Sequence, residues 1–124
     1  MNTLGKQAED DALAHLEKKQ LRLRDRNFHT RWGELDLVME NVRGMIVFIE
    51  VKARIANPVG SSLEQIDAEK LRRLQRAIAM YVHQYRLDNR PLRLDGVGIE
   101  YGVDRTTGML SVQQIEHVED LTGW

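Results

Sequence analysis

The segment GELDLVMENVRGMIVFIEVK, residues 33–52, decides the fold. Two apolar, strand-like runs are joined by a short polar break, which is the pattern of a β-hairpin. The second run is apolar on both faces as far as Glu50, as expected for a central strand. Charged side chains nevertheless interrupt both runs, Glu34 and Asp36 in the first and Glu50 and Lys52 in the second. Because a buried charge is unfavourable without a partner, these residues require an explanation.

The sequence around the hairpin predicts the order α-β-β-β-α-β-β in one domain spanning residues 1–124. Ser61 and Glu64 have the spacing of a capping box, which predicts that the second helix begins near residue 64. The expected structure is an α/β sandwich with a mixed sheet. The expected helices cover about 4–20 and 64–87, and the expected strands about 21–29, 34–40, 45–53, 92–101 and 109–116.

Composition and charge limit the possible classes of protein. The chain has 124 residues, 42% of them hydrophobic and 30% charged, which suits one soluble domain with a core. A net charge of −1 disfavours binding to DNA through overall charge, although a local basic patch stays possible. The sequence has no cysteine, which excludes disulfides and thiolate metal sites. We find no signal-peptide pattern and no membrane-spanning apolar run, and therefore expect a cytoplasmic protein without membrane contact.

The number of residues in the hairpin loop decides whether the charged residues meet. Residues two apart on a strand share a face, so Glu34 is expected on the same face as Asp36. An odd loop, such as residues 42–44, places Asp36 opposite Glu50. It also places Glu34 opposite Lys52, with Cβ atoms about 4.5–5.5 Å apart. An even loop sends the two pairs to opposite faces of the sheet.

With an odd loop, the carboxylates of Asp36 and Glu50 form a candidate metal site. Two close carboxylates repel each other, and a divalent cation relieves the repulsion. Lys52 could reach the same point, where it could orient or deprotonate a water molecule or neutralise charge on a phosphate. Glu9 borders the apolar stripe of the first helix, so it could complete the site or support its ligands.

A simpler interpretation exists for each of these features. Alternating charges on a hairpin often form a solvated face, with Glu34 and Lys52 as a cross-strand ion pair. Glu9 could equally be a surface residue at the edge of its helix. The basic residues within 22–26 and 70–76 become informative only if they surround the carboxylates. The spacing alone leaves both interpretations open.

In combination, the motifs resemble the YraN/UPF0102 family of small bacterial proteins, regarded as relatives of the PD-(D/E)xK nucleases and similar to archaeal Holliday-junction resolvases. The block GELDL followed by VFIEVKAR is the most specific part, and the pattern extends in order over nearly the whole chain. Ala8 and Gly96 depart from the family pattern, but neither is a candidate site residue. The matching residues are Gly5, Glu9, Arg26, Asn27, Arg31, Gly33, Glu34, Asp36, Leu37, residues 47–52, Arg54, Lys70, Arg73, Ala77, Arg93 and Asp95.

The resemblance implies a restriction-endonuclease-like α/β fold, with an αβββαβ core, a mixed sheet flanked by helices and an added C-terminal strand. It implies catalysis by Asp36, Glu50 and Lys52, with Glu9 as an acid contributed by the helix. It further implies hydrolysis of phosphodiester bonds in DNA, including branched or structured DNA, with Mg²⁺ or Mn²⁺ bound by Asp36, Glu50 and Glu9. Other matching residues are expected to support the site (Glu34) or to contact nucleic acid (Arg31, Arg54, Lys70 and Arg73).

Two other functions stay open at this point. A non-catalytic nucleic-acid-binding domain of nuclease-like fold would use arginines for phosphate contacts. An adaptor domain would have purely structural carboxylates and bind no nucleic acid. A homodimer would double the basic surface of a chain with little net charge. The arginines available for phosphate contacts are Arg22, Arg24, Arg72, Arg73 and Arg76.

Overall fold

The structure, a computed structural model, describes residues 3–56 and 66–122, and within these ranges the chain forms two helices and five strands. All five strands belong to one sheet in chain order, and the third and fourth strands are parallel while the other neighbours are antiparallel. This arrangement confirms the predicted α/β class, the αβββαβ core with its mixed sheet, and the added C-terminal strand. The elements are α1 (Thr3–Glu17), β1 (Arg22–Thr30), β2 (Gly33–Glu40), β3 (Ile46–Ile55), α2 (Ala68–Tyr85), β4 (Leu92–Val103) and β5 (Leu110–Val118).

The β2–β3 hairpin has an odd loop, which is the one of the two possibilities left open by the sequence that brings the charged residues together. The Asn41 N–H donates to the Met45 carbonyl at 3.0 Å, which leaves residues 42–44 as the loop. The Asn41 side chain also accepts a hydrogen bond from the Met45 N–H at 3.0 Å, so the turn is fixed from two directions. The pairing of β2 with β3 keeps this register and stops one residue before Asp36. Its continuation places Asp36 level with Glu50, as expected for an odd loop.

One helix covers each face of the sheet. Small residues on α1, Ala8 and Ala12, lie against the apolar side chains of β2, β3 and β4. On the opposite face, the Tyr81 ring of α2 meets the rings of Phe28 and Phe48 edge-on, at 4.9 and 5.7 Å between centroids. Burial of each large apolar side chain contributes about 1.5–3 kcal/mol, so these two layers supply the core. Neither of the helices within the described ranges is long and apolar enough to span a membrane.

The alternation of side chains along β2 is interrupted at Asp36. Leu35 packs in the core on the α2 side, whereas Leu37 packs on the α1 side, although residues two apart on a regular strand share a face. Opposite this point, Asn27 on β1 has a left-handed backbone with a φ of 55°. Strict alternation predicted Glu34 and Asp36 on one face, and their carboxylate oxygens do converge, although the alternation of the apolar side chains is broken between Leu35 and Leu37.

The second helix begins at Ala68, later than the sequence predicted. Asp67 is the N-cap residue, and its carboxylate accepts a hydrogen bond from the Lys70 N–H at 2.8 Å. The predicted start near residue 64 is therefore wrong, because Asp67 satisfies the first free N–H groups of the helix. The capping-box residues Ser61 and Glu64 lie outside the described residues.

Replacing Arg86 with glycine is expected to stabilise the fold. Arg86 ends α2 in a left-handed conformation with a φ of 55° and a ψ of 51°, and its side chain is exposed. This conformation is unfavourable for residues with a Cβ atom and favourable for glycine. We expect Arg86→Gly to raise the free energy of unfolding by about 0.5–1 kcal/mol, measured by urea denaturation. Arg86→Ala keeps the strain and is the control; an equal gain in both variants would contradict this explanation.

Candidate metal centre

Three carboxylates from α1 and β2 meet beside the interruption in β2. Glu9, Glu34 and Asp36 each offer one oxygen, and these three oxygens all lie within 4.8 Å of one another. Glu9 is only 7% exposed, which is rare for a carboxylate. Because α1 is held against the sheet by its alanine face, Glu9 is directed at the two acids of β2. Oxygens at this spacing can bind one divalent cation.

Asn27 holds two of these carboxylates together. Its amide nitrogen donates hydrogen bonds to Glu9 Oε1 at 2.9 Å and to Glu34 Oε1 at 2.8 Å. The left-handed backbone at Asn27 places the amide between the two acids, and asparagine is one of the few residues other than glycine that tolerate this conformation. Asn27 belongs to the matched sequence pattern, which by itself predicts no role for it. The only local signal was its residue type.

Asp36 connects the group of three carboxylates to Glu50. Asp36 Oδ2 accepts a hydrogen bond from the Val51 N–H at 2.8 Å, so the side chain takes the place of a strand partner where β2 and β3 separate. Burial and the neighbouring Glu50 carboxylate raise the pKa of Asp36 to about 8, with Glu9 adding to the effect and the Val51 N–H opposing it. Without a cation, burial and the adjacent Glu50 carboxylate therefore favour the neutral form of the Asp36 carboxyl.

Glu50 is one of the most deeply buried charged groups in the described part of the chain, at 4% exposure. Its Oε2 atom is buried without a hydrogen-bond partner among the described residues, and Lys70 Nζ lies 3.8 Å away. Burial raises the pKa of Glu50, while Lys70 and Lys52 act in the opposite direction. A buried oxygen without a hydrogen bond is unfavourable, and a bound cation would satisfy it.

Lys52 does not form the cross-strand ion pair that the simpler interpretation required. Within residues 3–56 and 66–122, Glu34 instead pairs with His29, at 3.1 Å between His29 Nδ1 and Glu34 Oε2. Lys52 is half-buried two residues after Glu50 and close enough to influence it electrostatically. The ammonium group is therefore not neutralised by the acid expected to pair with it.

The residues present fit a divalent metal ion. All candidate ligands are carboxylate oxygens, which suit Mg²⁺ or Mn²⁺. The family resemblance implied that Asp36, Glu50 and Glu9 are ligands and that Glu34 is a supporting residue. The structure brings Glu34 into the tight group with Glu9 and Asp36, whereas Glu50 lies outside that group and reaches it through Asp36. The four acids thus form one continuous site, with Glu9 and Glu34 on one side of Asp36 and Glu50 on the other.

The basic residues expected at nucleic acid lie in different surroundings. Lys70 is next to the carboxylates, as described above. Arg54 donates hydrogen bonds to Glu100 from its Nε and Nη2 atoms, so its charge is compensated within the sheet. Arg31 is exposed in the β1–β2 turn, and Arg73 is exposed on the first half of α2. Arg31 and Arg73 are therefore the more accessible members of this set.

Arg22 and Arg24 lie away from the carboxylate site, whereas Arg26 on the same strand has its Nε 3.5 Å from Glu9. Arg22 and Arg24 both approach Glu40, at 3.7 and 3.0 Å, and Arg90 contacts the same carboxylate. Glu40 ends β2, at the opposite end of the strand from Glu34. Of the arginines available for phosphate contacts, those on α2 (Arg72, Arg73 and Arg76) therefore lie near the tip of the β1–β2 hairpin.

The fold and the site define an α/β protein with a mixed sheet and a buried group of acids at the open end of its central hairpin. The model of "Uncharacterised protein family UPF0102" matches residues 8–99. The chain belongs to the UPF0102 family, which confirms the resemblance of its motifs.

The chain is similar to UPF0102 proteins of several bacteria. A protein of Neisseria meningitidis is 45% identical over 96 residues, which cover 77% of this chain and 83% of the relative. A protein of Nitrosococcus oceani is 38% identical over 115 residues, 90% and 92% of the two chains. Among solved structures, Pyrococcus furiosus SfsA in complex with Ca²⁺ aligns with 87% of this chain and 58% of its own, at 15% identity and a TM-score of 0.38.

Proposed function

We propose that the protein is a metal-dependent endonuclease that hydrolyses phosphodiester bonds in DNA. The observation that carries this proposal is the buried oxygen of Glu50 that accepts no hydrogen bond among the described residues and has only Lys70 Nζ at 3.8 Å, beside the Asp36 carboxyl and at the edge of a group of acids. Such an arrangement is unfavourable in a merely structural site and favourable once a cation is bound. The order of Asp36, Glu50 and Lys52 along the chain also resembles the PD-(D/E)xK nuclease motif.

Each acid has a role in this proposal. Asp36, Glu50 and Glu9 would hold Mg²⁺ or Mn²⁺, with Glu34 held beside them by Asn27. The bound ion would activate a water molecule and stabilise negative charge on the phosphate. Lys52 would orient that water or neutralise developing charge, because its ammonium group has no carboxylate partner among the described residues.

DNA is the proposed partner, including branched or structured DNA. Exposed arginines on α2 and in the β1–β2 turn supply the positive charge for phosphate contacts, although the chain as a whole has a net charge of −1. A homodimer that doubles this surface stays a prediction, which sedimentation equilibrium would check.

A panel of DNA substrates tests the proposal directly. Wild-type protein is incubated with single-stranded, duplex, flap and four-way-junction DNA in Mn²⁺, in Mg²⁺ and in EDTA. Cleavage of at least one substrate, dependent on the metal and lost in Asp36→Asn, is the expected result. Salt-sensitive binding without cleavage of any substrate would contradict the nuclease and support the non-catalytic nucleic-acid-binding domain. Absence of both binding and cleavage would favour the adaptor.

Replacing Asp36 with asparagine is expected to weaken metal binding. Asp36 contacts both sides of the acidic site, so removal of its charge lowers the affinity for Mn²⁺ by at least about tenfold, equal to about 1.4 kcal/mol. Isothermal titration calorimetry measures the affinity. Glu17→Gln is the matched control, because it removes an exposed acid from the same protein. Equal affinities in wild type and Asp36→Asn would place the cation elsewhere.

A further inference from the structure

Trp32 lies at the tip of the β1–β2 hairpin, between arginines from two elements. Thr30 pairs with Gly33, which leaves Arg31 and Trp32 as a two-residue loop. The Thr30 hydroxyl accepts a hydrogen bond from the Trp32 N–H at 3.0 Å and donates to the Gly33 carbonyl at 2.7 Å. These contacts fix the backbone of the tip from which the indole ring projects.

Two guanidinium groups contact the indole ring. The Cζ atom of Arg76, on α2, is 4.4 Å from the ring centroid, and that of Arg31 is 5.2 Å away. Neither arginine has a carboxylate partner among the described residues. A stacked guanidinium keeps its N–H donors available at the edge of the ring, where they can bind phosphate.

Two open clefts border Trp32. One, of about 310 Å³, is lined also by Arg72, Arg73 and Arg76, and the other, of about 530 Å³, by Arg31 and Arg73. Both fall within the range of roughly 300–1,000 Å³ that is usual for small-molecule sites. The residues that line the two clefts include four arginines and one acid. The acid is Glu69, which pairs with Arg73 at 2.9 Å. The clefts therefore favour an anionic ligand with a flat ring.

Trp32 is also close to the acidic site. It precedes Glu34 by two residues on the same hairpin. Glu34 belongs to the group of three carboxylates. A strand of DNA with a phosphate at the acids would therefore have a neighbouring nucleotide at the indole ring.

We propose that Trp32 is a stacking platform for an unpaired base of the DNA strand that enters the acidic site, with Arg31 and Arg76 moving from the ring to the flanking phosphates. This inference rests on the proposed nuclease function for the identity of the ligand. Bases stack on exposed aromatic side chains only when they are unpaired, because in a duplex both faces of an inner base are covered. The substrate is accordingly DNA with a single-stranded segment at the cleavage point.

Tryptophan fluorescence in EDTA tests the inference without any cleavage. The chain has two tryptophans, and Trp124→Phe leaves Trp32 as the sole reporter. The titrants are oligothymidylate of about 12 nucleotides and a duplex of the same length, a size suited to one binding site. We expect saturable quenching by the single strand and much weaker quenching by the duplex. Equal quenching by both, or none, would overturn the inference.

Variants then separate stacking from charge, with affinity measured by anisotropy of a labelled oligonucleotide. Trp32→Ala is expected to lower the affinity for the single strand by about tenfold and to leave that for the duplex within about twofold. Trp32→Phe keeps an aromatic ring and is expected to retain most of the affinity. An unchanged single-strand affinity in Trp32→Ala, or an equal loss for both ligands in a variant that melts like wild type, would contradict stacking.

The salt dependence provides the matching test for the arginines. Arg76→Ala is expected to reduce the slope of log affinity against log salt by about 0.7, the value for one phosphate contact on a single strand. Arg105→Ala removes an exposed arginine from the β4–β5 turn and is expected to leave the slope unchanged. Equal slopes in wild type and Arg76→Ala would contradict the role of Arg76. Failure of all these binding tests with metal-dependent cleavage intact would overturn this inference alone.

Discussion

Replacing Glu50 with glutamine is expected to lower the rate of metal-dependent DNA cleavage by about 10³-fold without destabilising the fold. The amide has the shape of the carboxyl but removes the charge that would hold the cation, and loss of such a group changes the barrier by about 4 kcal/mol. In the absence of metal, burial disfavours the charged form of Glu50. Removal of the charge should therefore leave the melting temperature equal to or above that of wild type.

This combination distinguishes a functional acid from a structural one. A purely structural Glu50 would give the reverse result, with a lower melting temperature and unaltered cleavage. Lys52→Met is the companion variant, since it should retain Mn²⁺ binding in calorimetry while losing about 10²–10³-fold in rate. Lys18→Met, which alters an exposed lysine after α1, is the matched control and should cleave like wild type. Full activity in both Glu50→Gln and Lys52→Met would exclude the proposed site.

The part of the site that lies within the hairpin could be predicted from the sequence. The apolar runs on either side of a short polar break fix the register, because a slip by one residue would turn every apolar side chain to the wrong face. Asp36 therefore had to lie level with Glu50 once the loop was odd. The prediction succeeded because both residues belong to neighbouring strands joined by three residues.

The contribution of Glu34 could not be predicted in the same way. Strict alternation gave Glu34 and Asp36 a common face, and their oxygens do converge, but the alternation of the neighbouring apolar residues is broken at Asp36 and Asn27 has a left-handed backbone. The amide that joins Glu34 to Glu9 comes from a third element. Such contacts depend on how α1 packs on the sheet, which no local pattern encodes.

Competing local signals explain the other differences. The capping-box spacing of Ser61 and Glu64 predicted a start of α2 near residue 64, whereas the residue that caps the helix is Asp67. The position of Trp32 beside Arg76 depends on the packing of the β1–β2 turn against α2, elements separated by more than thirty residues in the sequence. Sequence patterns identify elements well and their mutual contacts poorly.

The contacts of Asp95 in the core could not be predicted from the sequence either. The sequence matched it with Arg93 as part of a motif, but the structure makes it the centre of a buried network between β4 and the segment that follows β5. Asp95 is fully buried, and its oxygens accept hydrogen bonds from Arg93 Nε at 2.8 Å, from His117 Nε2 at 2.8 Å and from the Asp120 N–H at 3.0 Å. Because Lys19 Nζ can only donate to His117 Nδ1, at 2.9 Å, the ring hydrogen lies on Nε2 and points at Asp95.

Replacing Asp95 with asparagine is therefore expected to lower the free energy of unfolding by about 3 kcal/mol near neutral pH, because it breaks a buried charge pair and leaves Arg93 with Glu119 alone. Burial opposes the charged form, but the hydrogen bonds from His117, Arg93 and Asp120 outweigh it and lower the pKa of Asp95. A lowered pKa gives stability that is present above the unfolded value of about 3.9 and is lost as the pH falls below it. The difference between wild type and Asp95→Asn in urea denaturation should accordingly shrink on acidification below about pH 4.

Glu119→Gln, at an exposed position, is the control and should change stability by less than about 0.5 kcal/mol. A loss below about 1 kcal/mol in Asp95→Asn, or one that does not vary with pH, would show that the network is not what holds β4 to the end of the chain.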